Sequence, residues 1–417
     1  MKKLVLILLA VASVGAQPAV ARLESTGGLW RGLAEAVQNS NRGGGQPPAR
    51  GVPSARTERA GVPQLRPRPA QGREPELKPP TIREYKPKSM LVVPQHPVPR
   101  AKFPVIDIHS HQSTPISNDE FGRVVKGMDA NNLRLLVNLS GSSGDRLRQG
   151  VEAIKHSPYA DRMVLFANVD FRSFGPGSGA KAAKQLEADI KAGAAGLKIF
   201  KDLGMFDRKA DGSRLRVDDA ELDPIWETCA RLNVPVLIHV AEPQAFFDPL
   251  DYNNERWLEL SLYPDRRHQD GVRFEQLMTE RNAMMKKHPN TKYILAHFGW
   301  HASDLGRAGK LLDENPNVFY DVAAVLYDFG RQPRAAHEFF VKYQDRILFG
   351  KDSYQPDEYP YYWRVFETND EYFDYYRDYH AFWKLYGIGL PDQVLRKLYY
   401  QNALKLVPRI SRAGFTD

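Results

Sequence analysis

The sequence predicts an α/β chain folded as a (β/α)8 TIM barrel, and three observations predict it. Eight short β-branched runs follow one another from Phe103 onward, amphipathic helical patterns lie between most of them, and no Gly-rich phosphate-binding turn follows the first run. Short runs rich in Val and Ile, separated by helical patterns, are how parallel strands and their crossover helices read. Eight such repeats in roughly 300 residues fit the barrel. An open doubly wound sheet, the rival, would carry the Gly-rich turn after its first strand.

The chain opens with Met1-Lys2-Lys3, an apolar stretch over residues 4–16 and then Ala19-Val20-Ala21. That charged, apolar and small-residue order is that of a secretory signal peptide, with cleavage expected after Ala21 and export, periplasmic or secreted, as the consequence. A membrane anchor needs about 18 or more uninterrupted apolar residues. This run is broken by Gly15, Gln17 and Pro18, so no stable membrane anchor is expected. Residues 22–100 form a Pro/Gly/Arg-rich linker, as in Gly43-Gly44-Gly45-Gln46-Pro47-Pro48 and Arg66-Pro67-Arg68-Pro69. Such composition buries too little surface to offset its ordering entropy and reads as an extended spacer. A short helix over residues 29–37 and a strap over residues 84–100 are the two structured pieces it could hold. Residues 101–417 make the barrel domain.

Within that domain the runs are residues 105–111, 134–139, 164–170, 195–200, 234–241, 292–298, 318–322 and 347–352. Polar and apolar faces alternate at the helical period over residues 179–192, 219–232, 274–287 and 335–342. Cys229, the single cysteine, falls on the second of these helices and reads as a small buried apolar residue, so the fold is expected to hold without a disulfide.

The formal charge of +8 invites a nucleic-acid reading, and its distribution removes it. Residues 22–100 carry 14 Lys plus Arg against 6 Asp plus Glu, whereas residues 101–417 carry 42 against 44. A nucleic-acid footprint is a basic stripe on a folded surface. Here the basicity belongs to the leader and linker, and a small-molecule substrate is the expected partner. A homo-oligomer through the outer helices is compatible with a barrel, although no residue points to it.

Polar residues at the C-terminal ends of barrel strands converge on one mouth. The first run ends Asp107-Ile108-His109-Ser110-His111, and residues two apart on a strand face the same way. Lys198 sits near the end of the fourth run, His239 of the fifth, His297 of the sixth and Asp352 of the eighth. Core packing would place Val, Ile or Leu there, so four histidines and a carboxylate predict a divalent metal. Neutral imidazoles with a carboxylate suit Zn2+ best and accept Mn2+, Fe2+ or Co2+. The remaining histidines read as surface or cap residues, with His301 close enough to the sixth strand to support the site from behind.

The matching segments are Val105-Ile106-Asp107-Ile108-His109-Ser110-His111, Gly196-Leu197-Lys198-Ile199, Val236-Leu237-Ile238-His239, Ile294-Leu295-Ala296-His297-Phe298-Gly299 and Ile347-Leu348-Phe349-Gly350-Lys351-Asp352, with a closing helix near Tyr399-Tyr400-Gln401-Asn402-Ala403. Over about residues 103–408 the chain resembles the amidohydrolase superfamily, in the branch that includes aminocarboxymuconate semialdehyde decarboxylase-like proteins. That resemblance implies a metal-dependent enzyme. One departure is Lys351, where the branch usually has a small residue before the last aspartate.

Two reactions use the same ligands. In hydrolysis of an amide, ester or lactone, His109, His111, His239 and Asp352 hold an ion that activates water, and Asp352 carries the proton. His297 then either polarises the substrate or ligates a second ion. Lys198 is where related two-metal enzymes carry a carbamylated lysine, and it could equally bind a substrate carboxylate. In the alternative, non-oxidative decarboxylation of an aromatic or unsaturated acid, the ion chelates the substrate. Residues 244–273 and 354–383 are the long mouth segments. Most of their aromatic rings are expected to serve packing, with Glu242, Arg331, Asp357 and Glu358 as polar residues near the substrate.

Overall fold

The computed structural model describes residues 77–415. The leader, most of the linker and the short helix expected over residues 29–37 lie outside the described residues. Among the described residues no helix is long and apolar enough to cross a membrane.

All eight strands are present and parallel, in sequence order: β1 Val105–Ser110, β2 Leu133–Asn138, β3 Met163–Asn168, β4 Gly196–Ile199, β5 Val236–Ile238, β6 Tyr293–Leu295, β7 Val318–Asp321 and β8 Ile347–Leu348. The last strand returns to the first. Ile108 N–H donates to Phe349 O at 3.0 Å, Asp352 N–H donates to His109 O at 2.7 Å, and Ser110 pairs with Asp352 in a parallel bridge. The barrel is therefore drawn shut at its eighth seam by the two segments that carry His109 and Asp352. Gly350 allows the approach, because a Cβ there would meet His109 Cβ at 2.9 Å.

Most strands are shorter than the apolar runs that announced them, and most of the excess lies at their C-terminal ends. Chain that continues the run in composition leaves the ladder and turns across the mouth. Ala241, His297, Phe298, Trp300, Ala324 and Asp352 all take positive φ there. The helices expected over residues 179–192, 274–287 and 335–342 are observed as Ser178–Ala192, Phe274–Lys287 and Pro333–Lys342. The one expected over residues 219–232 divides into a 3-10 turn, Ala220–Leu222, and the helix Asp223–Arg231. Cys229 on that helix is fully buried, and burial pushes its thiol far above the ordinary range.

The helix Tyr359–Glu367 packs an aromatic knot on Phe349, with ring centroids of Trp363, Tyr362 and Tyr399 at 4.9, 5.6 and 5.9 Å. Packing is thus what most aromatics of residues 354–383 do. Fully buried Asp107 locks this layer to β1: its Oδ1 accepts from the backbone N–H of His109 and of Lys351, and its Oδ2 accepts from Tyr359 at 2.6 Å. Burial, against those hydrogen bonds, pushes its carboxyl up to about 7.

The compact unit begins at Lys88. Its first residues lie along the barrel and are latched at Asp370, whose buried carboxylate accepts His96 N–H at 2.7 Å, His96 Nδ1–H at 2.5 Å and Arg364 Nε–H at 2.8 Å.

Candidate metal centre

β1 and the residue that follows it deliver two imidazoles to one place. His109 and His111 each present Nε2 at 3.5 Å from Asp352 Oδ1. His109 is buried on β1, while His111 and Asp352 are about one-third exposed at the mouth. Asp352 reaches them from a residue with φ of 82°, a left-handed conformation that costs a non-glycine residue about 1–2 kcal/mol. Strain of this kind persists where surrounding structure over-determines it and clusters at functional sites.

The tautomers are fixed from behind. His109 Nδ1 lies 2.8 Å from Asp321 Oδ2, and a carboxylate only accepts, so Nδ1 carries the proton and Nε2 its lone pair. Asp321 Oδ1 also accepts the backbone N–H of His297 at 2.8 Å and of Ala323 at 3.1 Å. His297 Nδ1–H donates to Ala323 O at 2.9 Å, which again leaves Nε2 free. His111 Nδ1 pairs with Ser140 Oγ at 2.8 Å. This is the arrangement by which outer partners orient imidazole ligands.

Burial lowers all these imidazoles: His109 well below the usual range, helped by the Lys198 ammonium, and His111 and His297 to about 4. All three are neutral near pH 7. Asp352 is drawn upward by burial, but the surrounding histidines and Lys198 outweigh this and hold it far below the carboxylate range.

The donor set fits a divalent ion. Ligands at about 2.0–2.2 Å in a tetrahedral shell stand about 3.3 Å from one another, close to the 3.5 Å from Asp352 Oδ1 to each Nε2. His109, His111 and Asp352 form one such group, and His109, His297 and Asp321 another. The second is a support: Asp321 uses both oxygens on hydrogen bonds to His109, His297 and Ala323.

His239 and His297 occupy the adjoining corner. Their rings meet edge to face at 4.4 Å, and the His297 ring is 5.0 Å from that of His109. His239 stays in the ladder by donating its N–H to Ile199 O at 3.0 Å. Its buried Nε2 makes no hydrogen bond and lies 3.6 Å from Glu242 Oε2. Glu242 is ion-paired to Lys201; burial raises its carboxyl, and His239 and Lys201 bring it well below the usual range. Lys198, expected at the end of the fourth run, lies inside β4, 1% exposed, with Nζ 3.4 Å from His109 Nε2 and 5.4 Å from the centre of the Phe200 ring. Burial lowers its ammonium to about 8, against Asp321 and Asp352.

His297 departs from a strand-end placement. It opens a left-handed turn in which His297, Phe298, Gly299 and Trp300 have φ of 55°, 57°, 58° and 59°. The turn stacks the Trp300 indole on the His297 ring at 4.6 Å and 25°. Trp300 also lines a cavity of about 410 Å³ between the segments after β5, β6 and β7, together with Gln244, Arg256, Tyr327 and Asp328.

Among the remaining expected residues, Arg331 pairs with Glu255 and Asp328, Asp357 is exposed, and Glu358 pairs with the buried ammonium of Lys351. His380 and His288 are buried and not at the surface, because Glu259 and Asp223 pair with them at 3.1 and 2.9 Å. Asp321, Ser140 and Trp300 were not anticipated. Asp321 had a signal: it is a carboxylate at the mouth end of the seventh run.

Comparison with known proteins bears on the family of this barrel. The amidohydrolase family profile matches residues 106–409, so this chain belongs to the amidohydrolase family and is an enzyme of that superfamily, whose members bind a divalent metal. Solved structures similar to it include 2,6-dihydroxybenzoate decarboxylase complexed with 2,6-dihydroxybenzoate, at 15% identity and TM-score 0.45, covering 73% of this chain and 99% of that one. A dihydroxybenzoic acid decarboxylase from Polaromonas sp., with manganese and 2-nitroresorcinol bound, gives 17% and 0.46, covering 73% and 97%. 4-Oxalomesaconate hydratase from Rhodopseudomonas palustris gives 16% and 0.44, covering 73% and 96%. Likeness at this level carries no reaction across to this chain.

Proposed function

We propose that this chain is a metal-dependent carboxy-lyase that removes CO2, without oxidation, from a small aromatic or unsaturated carboxylic acid. Lys198 is the observation that carries the reading. Its buried ammonium lies beside His109 Nε2 and, among the described residues, has no carboxylate within ion-pair distance. A buried cation is costly unless paired, and an acid substrate supplies the missing anion.

His109, His111 and Asp352, with His239 beside them, would hold the ion, which when bound supplies Lewis acidity toward the oxygens of the substrate. Lys198 pairs with the entering carboxylate and orients it. His297, with Nε2 free to accept, takes a hydroxyl or enol proton of the substrate in a hydrogen bond. When the bond to the carboxyl carbon breaks, its electron pair stays on the substrate carbon and CO2 leaves. A proton from Lys198 Nζ then closes that carbon, and solvent restores the ammonium. The leader supports action outside the cytoplasm, periplasmic or secreted, which fractionation of the producing cells checks.

A second reading is hydrolysis of an amide, ester or lactone. It is favoured by the free acceptor capacity of Asp352 at the mouth, where the carboxylate could take a proton from water. Lys198 would then serve as a bridging carbamate. The test is turnover by protein reconstituted with Zn2+ or Mn2+, offered hydroxybenzoates, conjugated acids, esters and lactones in 18O-water. Stoichiometric CO2 without 18O in the remaining organic acid skeleton supports decarboxylation. Label in the product without CO2 sinks it in favour of hydrolysis. Lys198→Met abolishes CO2 release if the lysine pairs with the substrate carboxylate and returns the proton to carbon.

A further inference from the structure

We infer that Arg281, on the helix Phe274–Lys287 behind the barrel, is a positioning residue that sets the His297 imidazole and the Trp300 indole through the left-handed turn they share. Three observations converge on it. The turn is locally unfavourable, since three of its four consecutive left-handed residues carry a Cβ. Something outside it has to hold it.

One side of the turn is held from β7, where Asp321 takes the His297 N–H and Ala323 O takes the ring Nδ1–H. Arg281 holds the other side. Its Nη1–H donates to Gly299 O at 2.8 Å, in the middle of the turn, and its Nη2–H donates to His301 Nε2 at 3.1 Å, just past the end. Nε and Nη2 also donate to Asn282 Oδ1 at 3.2 and 3.1 Å. All three guanidinium nitrogens are engaged, and the side chain is 1% exposed.

What sets Arg281 apart from an ordinary buried salt bridge is the nature of its partners. Among the described residues it has no carboxylate within ion-pair distance, and burial lowers its guanidinium to about 10. A buried charge bonded only to neutral acceptors is an expensive choice for fold stability alone. Here the acceptors are the neighbouring Asn282, the turn and the residue after it. Gly299 is part of the same device, because a Cβ there would lie 3.0 Å from Arg281 Nη1 and 3.2 Å from Leu295 Cδ1 and Tyr320 Cε1. Burial and the neighbouring Arg281 keep His301 neutral, so it can accept. A lysine could fill the space and keep the charge, but its single ammonium lacks the planar fork that spans Gly299 O and His301 Nε2 together.

The test needs no substrate, so its outcome is separate from that of the decarboxylation reading. The intact chain, loaded with Zn2+, is labelled with 15N in histidine rings and tryptophan indoles. The resonances of His297, assigned by loss in His297→Gln, and of the Trp300 Nε1–H, assigned by loss in Trp300→Phe, are then followed in Arg281→Lys, Arg281→Met and His301→Gln. Both resonances are expected to move in each variant while the melting temperature of Arg281→Lys stays within a few degrees of the parent. His301→Gln, which perturbs only the Nη2 contact, is expected to give the smaller displacement in the same direction. A folded Arg281→Lys or Arg281→Met with both resonances unmoved overturns the assignment. If the two arginine variants fail to fold, unmoved resonances in His301→Gln overturn it equally.

Discussion

The two corners of the centre reach the same mouth by different means. His109, His111 and Asp352 are placed by the closing seam of the barrel, where strand alternation and the β8 to β1 hydrogen bonds fix them. His239 and His297 lie past the ends of β5 and β6, and His297 depends on a strained turn braced from two sides. The first corner is delivered by the barrel's own strand pairing, with a single left-handed residue, Asp352, in it. The second is delivered by side chains remote in sequence, which makes it adjustable by substitutions that touch no ligand.

The hardest break falls on the seam. Asp352→Ala removes the carboxylate shared by His109 and His111, and it is expected to abolish stoichiometric metal uptake and to lower turnover by about 10³-fold or more. Metal analysis on protein purified without chelator checks this, and one retained equivalent at full affinity would refute the ligand role. A middle effect sharpens the contrast. Asp321→Asn disturbs the proton placement of His109 and, through His297 N–H, touches both corners, so metal affinity should fall about 10- to 100-fold. Glu242→Gln touches His239 and no other imidazole of the centre, and it should cost less than about 10-fold. Competition titrations with a chromophoric chelator rank the two, and the reverse order would place the main site at the second corner.

The smallest effect is in pH. His111 and His297 titrate at about 4 in the folded chain, and so does His380, lowered by burial against its bond to Glu259. The unfolded chain binds these three protons near 6.5, so between pH 6.5 and 4 the three rings lower stability as the pH falls, while the carboxyls of Asp107 and Asp328, raised to about 7 and about 6, act in the opposite sense. Metal-free protein should melt progressively lower across that window. His380→Gln, which lies outside the centre, should flatten the slope by one proton. A pH slope in His380→Gln equal to that of the parent would contradict the buried, neutral state of that ring.

How much of this the sequence disclosed follows the same division. The barrel and the meeting of the seam residues were legible because Val and Ile runs mark parallel strands and the His109-x-His111 spacing marks one strand face. Lys198 was legible for the same reason. His297 was found as a residue but not as a conformation, since nothing in Ala296-His297-Phe298-Gly299-Trp300 announces three left-handed residues besides the glycine. Arg281 was invisible: on a helix with an apolar face, an arginine reads as solvent-facing, and only the tertiary fold turns it inward. Asp321 was within reach, because an acid ending an otherwise apolar run is an exception that core packing does not explain. The apolar runs overstated the strands, because burial and pairing part company where the chain bends over the mouth.

The latch at Asp370 bears on where the chain can be cut. A protease or a truncation that removes everything before residue 101 takes both His96 donors from a carboxylate that is 1% exposed, leaving Arg364 as the donor described for it there. Water would have to enter, or the carboxylate would have to take up a proton, for the shortened chain to keep that corner. The residues from Lys88 to Arg100, upstream of the first strand, thus belong to the compact unit and complete the partners of a carboxylate buried in it.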